Sequence, residues 1–110
     1  MNFFSKLLHS MTGGSSEPLP SNAILIDVRS PGEFSSGYID GAISLPLDTI
    51  GQTIAAAVPD KCATIIVYCR SGARSASARN LLIAMGYQNV SNGGGVGALA
   101  LKLQKQVCRS

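Results

Sequence analysis

The residues best suited to chemistry lie together in the run Cys69-Arg70-Ser71-Gly72-Ala73-Arg74-Ser75. A thiolate is a strong nucleophile, and a thiol becomes one where its surroundings favour the charged form. Before the run, Thr64–Cys69 reads as a buried strand; after it, Ser75–Met85 reads as a helix. Cys69 therefore ends a strand and opens onto a helix N-terminus, where unsatisfied N–H groups carry about half a positive charge. Gly72 lets the loop curl so that successive amides converge on one point, an anion-binding nest. Arg70 and Arg74 add permanent positive charge. A cysteine at a strand end with none of these neighbours would be a packing residue. Here every neighbour favours the thiolate.

The rest of the chain has to hold that loop. Ala23–Val28 is a nearly continuous apolar run, the pattern of a strand covered on both faces. Ala42–Leu45 reads as a second short strand, ended by Pro46. Asp48 is the expected N-cap of a helix over Thr49–Val58, which sets Ile50, Ile54, Ala57 and Val58 on one face and stops at Pro59. In the helix after the loop, Ala78, Leu81, Leu82 and Met85 share a face, and Gly86 ends it. Asn89-Val90 is a last short strand. Val96, Leu99, Ala100, Leu103 and Val107 then form one face of a C-terminal helix, with Lys102, Lys105 and Arg109 on the other. Strands alternating with helices predict an α/β fold, a mainly parallel sheet with helices on both faces. Ligands bind such sheets at the carboxyl ends of the strands, which is where Cys69 stands.

A chain of 110 residues makes one domain. With 45% hydrophobic and 14% charged residues it is not a disordered segment. No run approaches the roughly 18 apolar residues of a membrane span. The net charge of +3 is spread along the chain and aromatics are only 5%, so a nucleic-acid partner is not expected. The single His and the lack of ligand spacing predict no metal site, and no cofactor is expected. Three cysteines without paired spacing argue against a disulfide framework and fit a cytoplasmic protein. Cys62 and Cys69 stand up to about 20 Å apart along an extended strand, too far to bridge. Cys108 is expected to be an exposed bystander, and Tyr68 to point to the opposite face from Cys69. Residues 1–20 form a separate segment: Phe3, Phe4, Leu7, Leu8 and Met11 have helical spacing, and a Gly/Ser/Pro-rich linker follows. Residues 21–110 are the domain proper, expected to be a monomer.

The loop resembles the active-site loop of single-domain rhodaneses, the thiosulfate sulfurtransferases. A second stretch agrees: Ile26-Asp27-Val28-Arg29, Glu33-Phe34, Gly37-Tyr38-Ile39-Asp40-Gly41-Ala42 and Leu45-Pro46. It is similar to that family's Asp-Val-Arg, Glu-Phe, Gly-His-Ile-x-Gly-Ala and Pro signature. The resemblance runs from Ala23 to about Gly95. It implies a rhodanese-like fold with five strands in its central sheet, and a ping-pong reaction through a persulfide on Cys69. The donor would be thiosulfate or a persulfide, and the acceptor cyanide, a thiol or a protein. Arg70, Ser71, Gly72, Ala73, Arg74 and Ser75 would cradle the substrate, with Arg74 at the family's substrate-contact position and Arg70 facing solvent. Asp27, Arg29 and Glu33 would support the loop; Asp27 reads as a structural acid at a strand end rather than as a direct substrate contact. Glu33 would pair with Arg29 or with one of the loop arginines. Tyr38 replaces the family's His, a change expected to touch stability more than catalysis. Gly93–Ala98 lacks the aromatic that many members carry there, which implies a more open pocket wall.

Two other functions share these features. Cysteine phosphatases and arsenate reductases also use a Cys–Arg loop at a helix N-terminus, but with five residues between Cys and Arg. Here four separate Cys69 from Arg74, a tighter cradle suited to one sulfur atom. A persulfide carrier serving a protein partner would keep the same cysteine.

Overall fold

The computed structural model describes residues 22–110. The expected N-terminal amphipathic helix and linker lie outside the described residues. β1 Ile24–Asp27, α1 Pro31–Ser36, β2 Tyr38–Ile39, β3 Ile43–Ser44 and α2 Ile50–Ala57 come first, with α1 and β2 added to the elements expected from sequence. They are followed by β4 Thr64–Cys69, α3 Ala73–Ala84, β5 Asn89–Gly95, α4 Val96–Leu103 and β6 Val107–Cys108.

Among the described residues the central sheet has four strands rather than five, in the order β3-β1-β4-β5. All of its pairings are parallel. The connections from β1 and β4 leave in opposite directions across the sheet, so the carboxyl ends of these two central strands form its switch point. Their alternating side chains build two cores. On one face Ile26, Ile65, Val67 and Val90 pack with Ile50 and Ile54 of α2 and Ala78 and Leu82 of α3. On the other, Leu25, Ile66 and Tyr68 pack with Ile39, Leu99 and Ala100. Helices therefore cover both faces. Tyr68 points away from Cys69, as strand alternation requires, and its hydroxyl accepts the Ile39 N–H at 3.0 Å.

Three element boundaries outside the Cys69 loop differ markedly from the sequence expectation. Helix α2 is capped by Thr49, not Asp48. A tight turn that closes with Thr49 N–H on Pro46 C=O carries Asp48 ahead of the helix start. The C-terminal helix ends at Leu103, where Gln104 turns left-handed at φ 56°. The polar run Gln104-Lys105-Gln106 gives the helix no further apolar face, and Val107–Cys108 instead pairs antiparallel with Tyr38–Ile39. This makes Cys108 a half-buried strand residue rather than a free-standing one. Finally, β5 runs on to Gly95, well past Val90, because its glycines lie against β4 and α4. Gly93 is the extra residue of a bulge, opposite the step from Val67 to Tyr68. A Cβ on Gly93 would lie 2.8 Å from both Ile66 Cγ2 and Leu99 Cδ2.

Candidate active site

Strand β4 delivers Cys69 to the carboxyl edge of the sheet, and α3 begins at Ala73, earlier than the periodicity predicted. The last three residues of the loop are therefore the first turn of the helix. Gly72 makes this possible: at φ 101° it takes the left-handed conformation that glycine adopts freely. Its N–H turns back to donate to Cys69 Sγ at 3.0 Å, while its C=O accepts the Ala76 N–H that opens α3. Ser75, fully buried, sets its Oγ 3.4 Å from the same sulfur. Burial pushes the Cys69 thiol up, but hydrogen bonds from the Ser75 hydroxyl and from the Ser75, Ser71 and Gly72 amides outweigh it and bring the pKa down to about 7. The amide nest expected at residues 69–75 is thus formed around the sulfur.

The two arginines of the loop have different surroundings. Arg70 is exposed at the loop tip. Arg74 forms a two-pronged ion pair with Glu33, Nη1 to Oε1 at 2.7 Å and Nη2 to Oε2 at 2.9 Å. Of the partners open to Glu33, Arg74 is the one it takes. The Arg74 hydrogen bonds, aided by the Ser30 N–H, hold the Glu33 carboxyl down at about 2. Glu33 also completes a capping box with Ser30, so one carboxylate ties the start of α1 to the loop. The charge Arg74 offers an anion is largely offset by this partner. Beside Arg74 a cleft of about 360 Å³ opens between Val28, Pro31, Pro46, Leu47 and Asp48.

Asp27 and Arg29 pair with each other rather than with the loop. Arg29 Nη2 donates to Asp27 Oδ2 at 2.6 Å and to Gly37 C=O at 2.5 Å, and its backbone N–H donates to Asp27 Oδ1 at 2.9 Å. Both side chains are buried. They brace the corner between β1, α1 and β2. Tyr38 stacks on Phe34 with ring centroids 4.2 Å apart, so it serves packing at this corner. Cys62 is an exposed free thiol. Among the described residues no group of three or more His, Cys, Asp or Glu is arranged to hold a metal ion. No described helix is long and apolar enough to cross a membrane.

One site residue escaped the sequence reading. Asn92 of β5 donates from Nδ2 to Gly72 C=O at 3.0 Å, and its Oδ1 accepts from Ser75 Oγ at 2.6 Å and from Gly94 N–H at 3.0 Å. With the strand expected to end at Val90, Asn92 falls in a loop. Had the strand been extended, alternation from buried Val90 would have set Asn92 on the Cys69 face.

A thiol with a pKa of about 7 makes a direct expectation for labelling. Cys69 should react with iodoacetamide about tenfold faster at pH 7 than an ordinary thiol of pKa ~8.5, and its rate should reach half its plateau near pH 7. Mapping the labelled peptide separates it from exposed Cys62. Equal labelling of the two at pH 6–7 would refute an activated Cys69.

Known proteins resemble this chain in sequence and in fold. The chain is 43% identical to thiosulfate sulfurtransferase PspE of Escherichia coli (strain K12) over 76 residues, 69% of this chain and 73% of that protein. It is 33% identical to the thiosulfate:glutathione sulfurtransferase of Saccharomyces cerevisiae over 81 residues, 64% of this chain but only 58% of that longer protein. A solved rhodanese from E. coli, described with anions, superposes with a TM-score of 0.74 at 38% identity, over 80% of this chain and 99% of that one. The rhodanese-like domain model matches residues 11–96. With that match spanning the whole nest from Cys69 to Ser75, and with the parallel sheet that carries it, the chain belongs to the rhodanese-like domain family.

Proposed function

We propose that this protein is a sulfurtransferase that carries a sulfane sulfur on Cys69 from a small anionic donor such as thiosulfate to a thiol or cyanide. The observation that carries the reading is the sulfur itself: Cys69 Sγ receives the Gly72 N–H at 3.0 Å at a helix N-terminus and titrates near 7. In the first half-reaction the thiolate attacks the outer sulfur of thiosulfate. An S–S bond forms to Cys69, the bond to the sulfonate sulfur breaks, and its electron pair leaves with sulfite. In the second, an acceptor thiolate or cyanide attacks the outer sulfur, and the electron pair returns to Sγ. No general base is needed, because the thiol is already substantially ionised at neutral pH. Loop amides aimed at the sulfur stabilise the charge that develops there at little reorganisation cost. Exposed Arg70 draws the dianion in, and Arg74, held by Glu33, rims the approach.

The relatives named above support this chemistry, and one of them uses a thiol acceptor by its name. The near-complete burial of Cys69 favours a small donor over a bulky one. Its free thiols fit a reducing compartment, the cytoplasm. The short loop argues against phosphate esters, which need room for three equatorial oxygens and a counter-charge reaching around them.

Intact mass is the test. After incubation with thiosulfate the protein should gain one sulfur, lose it to cyanide, and gain none as Cys69→Ser. Uptake by Cys69→Ser, or no uptake by the native chain, would overturn the proposal.

A further inference from the structure

Ser75 has one hydroxyl proton and two neighbours able to accept it. Cys69 Sγ lies 3.4 Å away on one side, and Asn92 Oδ1 lies 2.6 Å away on the other. The proton cannot serve both. The shorter contact is to Asn92, and a hydroxyl directed there turns a lone pair toward the sulfur. An uncharged Cys69 S–H can then donate to Ser75 Oγ, forming the chain Cys69–Ser75–Asn92. A thiolate needs the opposite arrangement, with the Ser75 O–H turned toward Sγ beside the Gly72 N–H. Asn92 Oδ1 is not orphaned by that turn, because it keeps the Gly94 N–H at 3.0 Å.

The other end of the amide is fixed. Asn92 Nδ2 donates to Gly72 C=O, which determines which atom of the amide faces Ser75. The same carbonyl is already held by the Ala76 N–H of α3, so loop geometry does not hang on Asn92 alone. The bulge at Gly93 follows directly, letting Gly94 fold its N–H back onto Oδ1. Asn92 is thus an oriented acceptor behind the hydroxyl that faces the nucleophile.

We propose that Asn92 is a positioning residue for Cys69: its side-chain oxygen holds the Ser75 hydroxyl proton while Sγ is uncharged and gives it back when Sγ carries charge. The role rests on the sulfurtransferase reading for its use in turnover. There the charge on Sγ comes and goes twice. When the persulfide forms, the negative charge moves to the outer sulfur and the Ser75 hydroxyl turns to Asn92. When the acceptor removes that sulfur, the electron pair returns to Sγ and the hydroxyl turns back. No proton leaves the protein in either turn; one O–H rotates between two acceptors. Asn92 therefore keeps the hydroxyl from binding Sγ permanently, which would hold the thiolate too low in energy to attack.

This role has an unusual signature. Loosening an active-site loop should raise the Cys69 pKa, because the thiolate loses donors. Removing a competitor for the Ser75 proton should lower it. The other charged groups near the sulfur are Arg70 and Arg74 on its own loop, Glu33 of α1, Asp27 at the end of β1, and Arg29 just after it. Glu33 is committed to Arg74 and Asp27 to Arg29, and an Asn92 substitution touches neither pair.

The experiment is the pH dependence of iodoacetamide labelling in a Cys62→Ser/Cys108→Ser background, where Cys69 alone reports. Asn92→Ala should lower the Cys69 pKa by about half a unit, or about threefold in the thiolate ratio. Ser75→Ala should raise it. The double variant should match Ser75→Ala, because Asn92 acts only through that hydroxyl. Asn92→Ser, too short to reach Ser75 Oγ, should repeat the Asn92→Ala shift and guards against a folding defect in one variant. A pKa that stays or rises in both Asn92 variants overturns the proposal. So does a shift of the same size in the Ser75→Ala background. The titration needs no sulfur donor. If the native chain takes up no sulfur from thiosulfate, the proposed function fails while the Asn92 role stands or falls on its own data.

Discussion

Gly95→Ala is expected to cost this protein at least about 100-fold in sulfur transfer while leaving it folded. A Cβ built on Gly95 would lie 2.5 Å from the Arg70 carbonyl oxygen and 3.4 Å from its carbon. Both belong to backbone, so no flexible side chain can yield. Gly95 pairs with Cys69 in the sheet register, and the Arg70 peptide is the first of the loop. Relief must come from displacing the peptide next to the nucleophile, and the amides that converge on Sγ follow from it. Displacements of about 1 Å in a preorganised site are enough for a loss of this size. Gly97→Ala is the matched control: it lies in α4, and its Cβ would meet open space. There, alanine should leave transfer unchanged and add about 0.5–1 kcal/mol of helix stability. Persulfide loading and turnover, with circular dichroism to confirm folding, check both. Full activity in Gly95→Ala would show that the loop does not depend on this close approach.

The second large effect is on stability. Asp27→Ala should destabilise the fold by about 3–5 kcal/mol, because it leaves the Arg29 guanidinium buried without its carboxylate. The Asp27 side chain is fully buried and that of Arg29 is 8% exposed, so water cannot replace the lost partner. The Asp27 hydrogen bonds raise the Arg29 pKa further, outweighing the opposite effect of burial. Glu33→Gln is the contrast. Its pair with Arg74 is nearly as short, 2.7 Å against 2.6 Å, but the two side chains are 31% and 40% exposed. Solvent screens such pairs, and glutamine keeps the capping box, so a loss below about 1 kcal/mol is expected. Urea unfolding of the two variants decides the matter. Comparable losses would mean that burial does not set the strength of these ion pairs.

The chemistry of the nucleophile was open to reading from local sequence, because its causes are local. A buried strand, a cysteine, a glycine and a helix start follow one another within a few residues, and covalent connection alone brings their amides to the sulfur. The same holds for the two-sided apolar pattern of β1 and β4, which predicts a sheet covered on both faces before any contact is known. Boundaries set by longer-range pairing were not legible. The C-terminal helix stops at Leu103 because Val107 finds Ile39, a residue far back in the chain. The glycines of β5 read as loop because glycine has poor strand propensity. Pairing with β4 makes them strand, and at Gly93 and Gly95 the side chains of Ile66 and Leu99 and the Arg70 carbonyl leave no room for a Cβ.

Partner choice was likewise a tertiary decision. Arg74 and Glu33 are 41 positions apart, and nothing in their spacing distinguishes Arg74 from Arg29 as the partner of that carboxylate. Folding the β1–α1 corner against α3 makes the choice. It leaves Asp27 to Arg29 and gives Arg74 to Glu33. Asn92 is the sharpest case. Its amide reaches Gly72 and Ser75 only because β4 and β5 lie in parallel register, with the Gly93 bulge ending the regular pairing just beyond it. Sequence determined which sulfur would stand at the helix N-terminus among loop amides, since that follows from neighbours along the chain. Tertiary structure decided which acceptors surround the Ser75 hydroxyl, since only the parallel register of β4 and β5 brings Asn92 within reach of it.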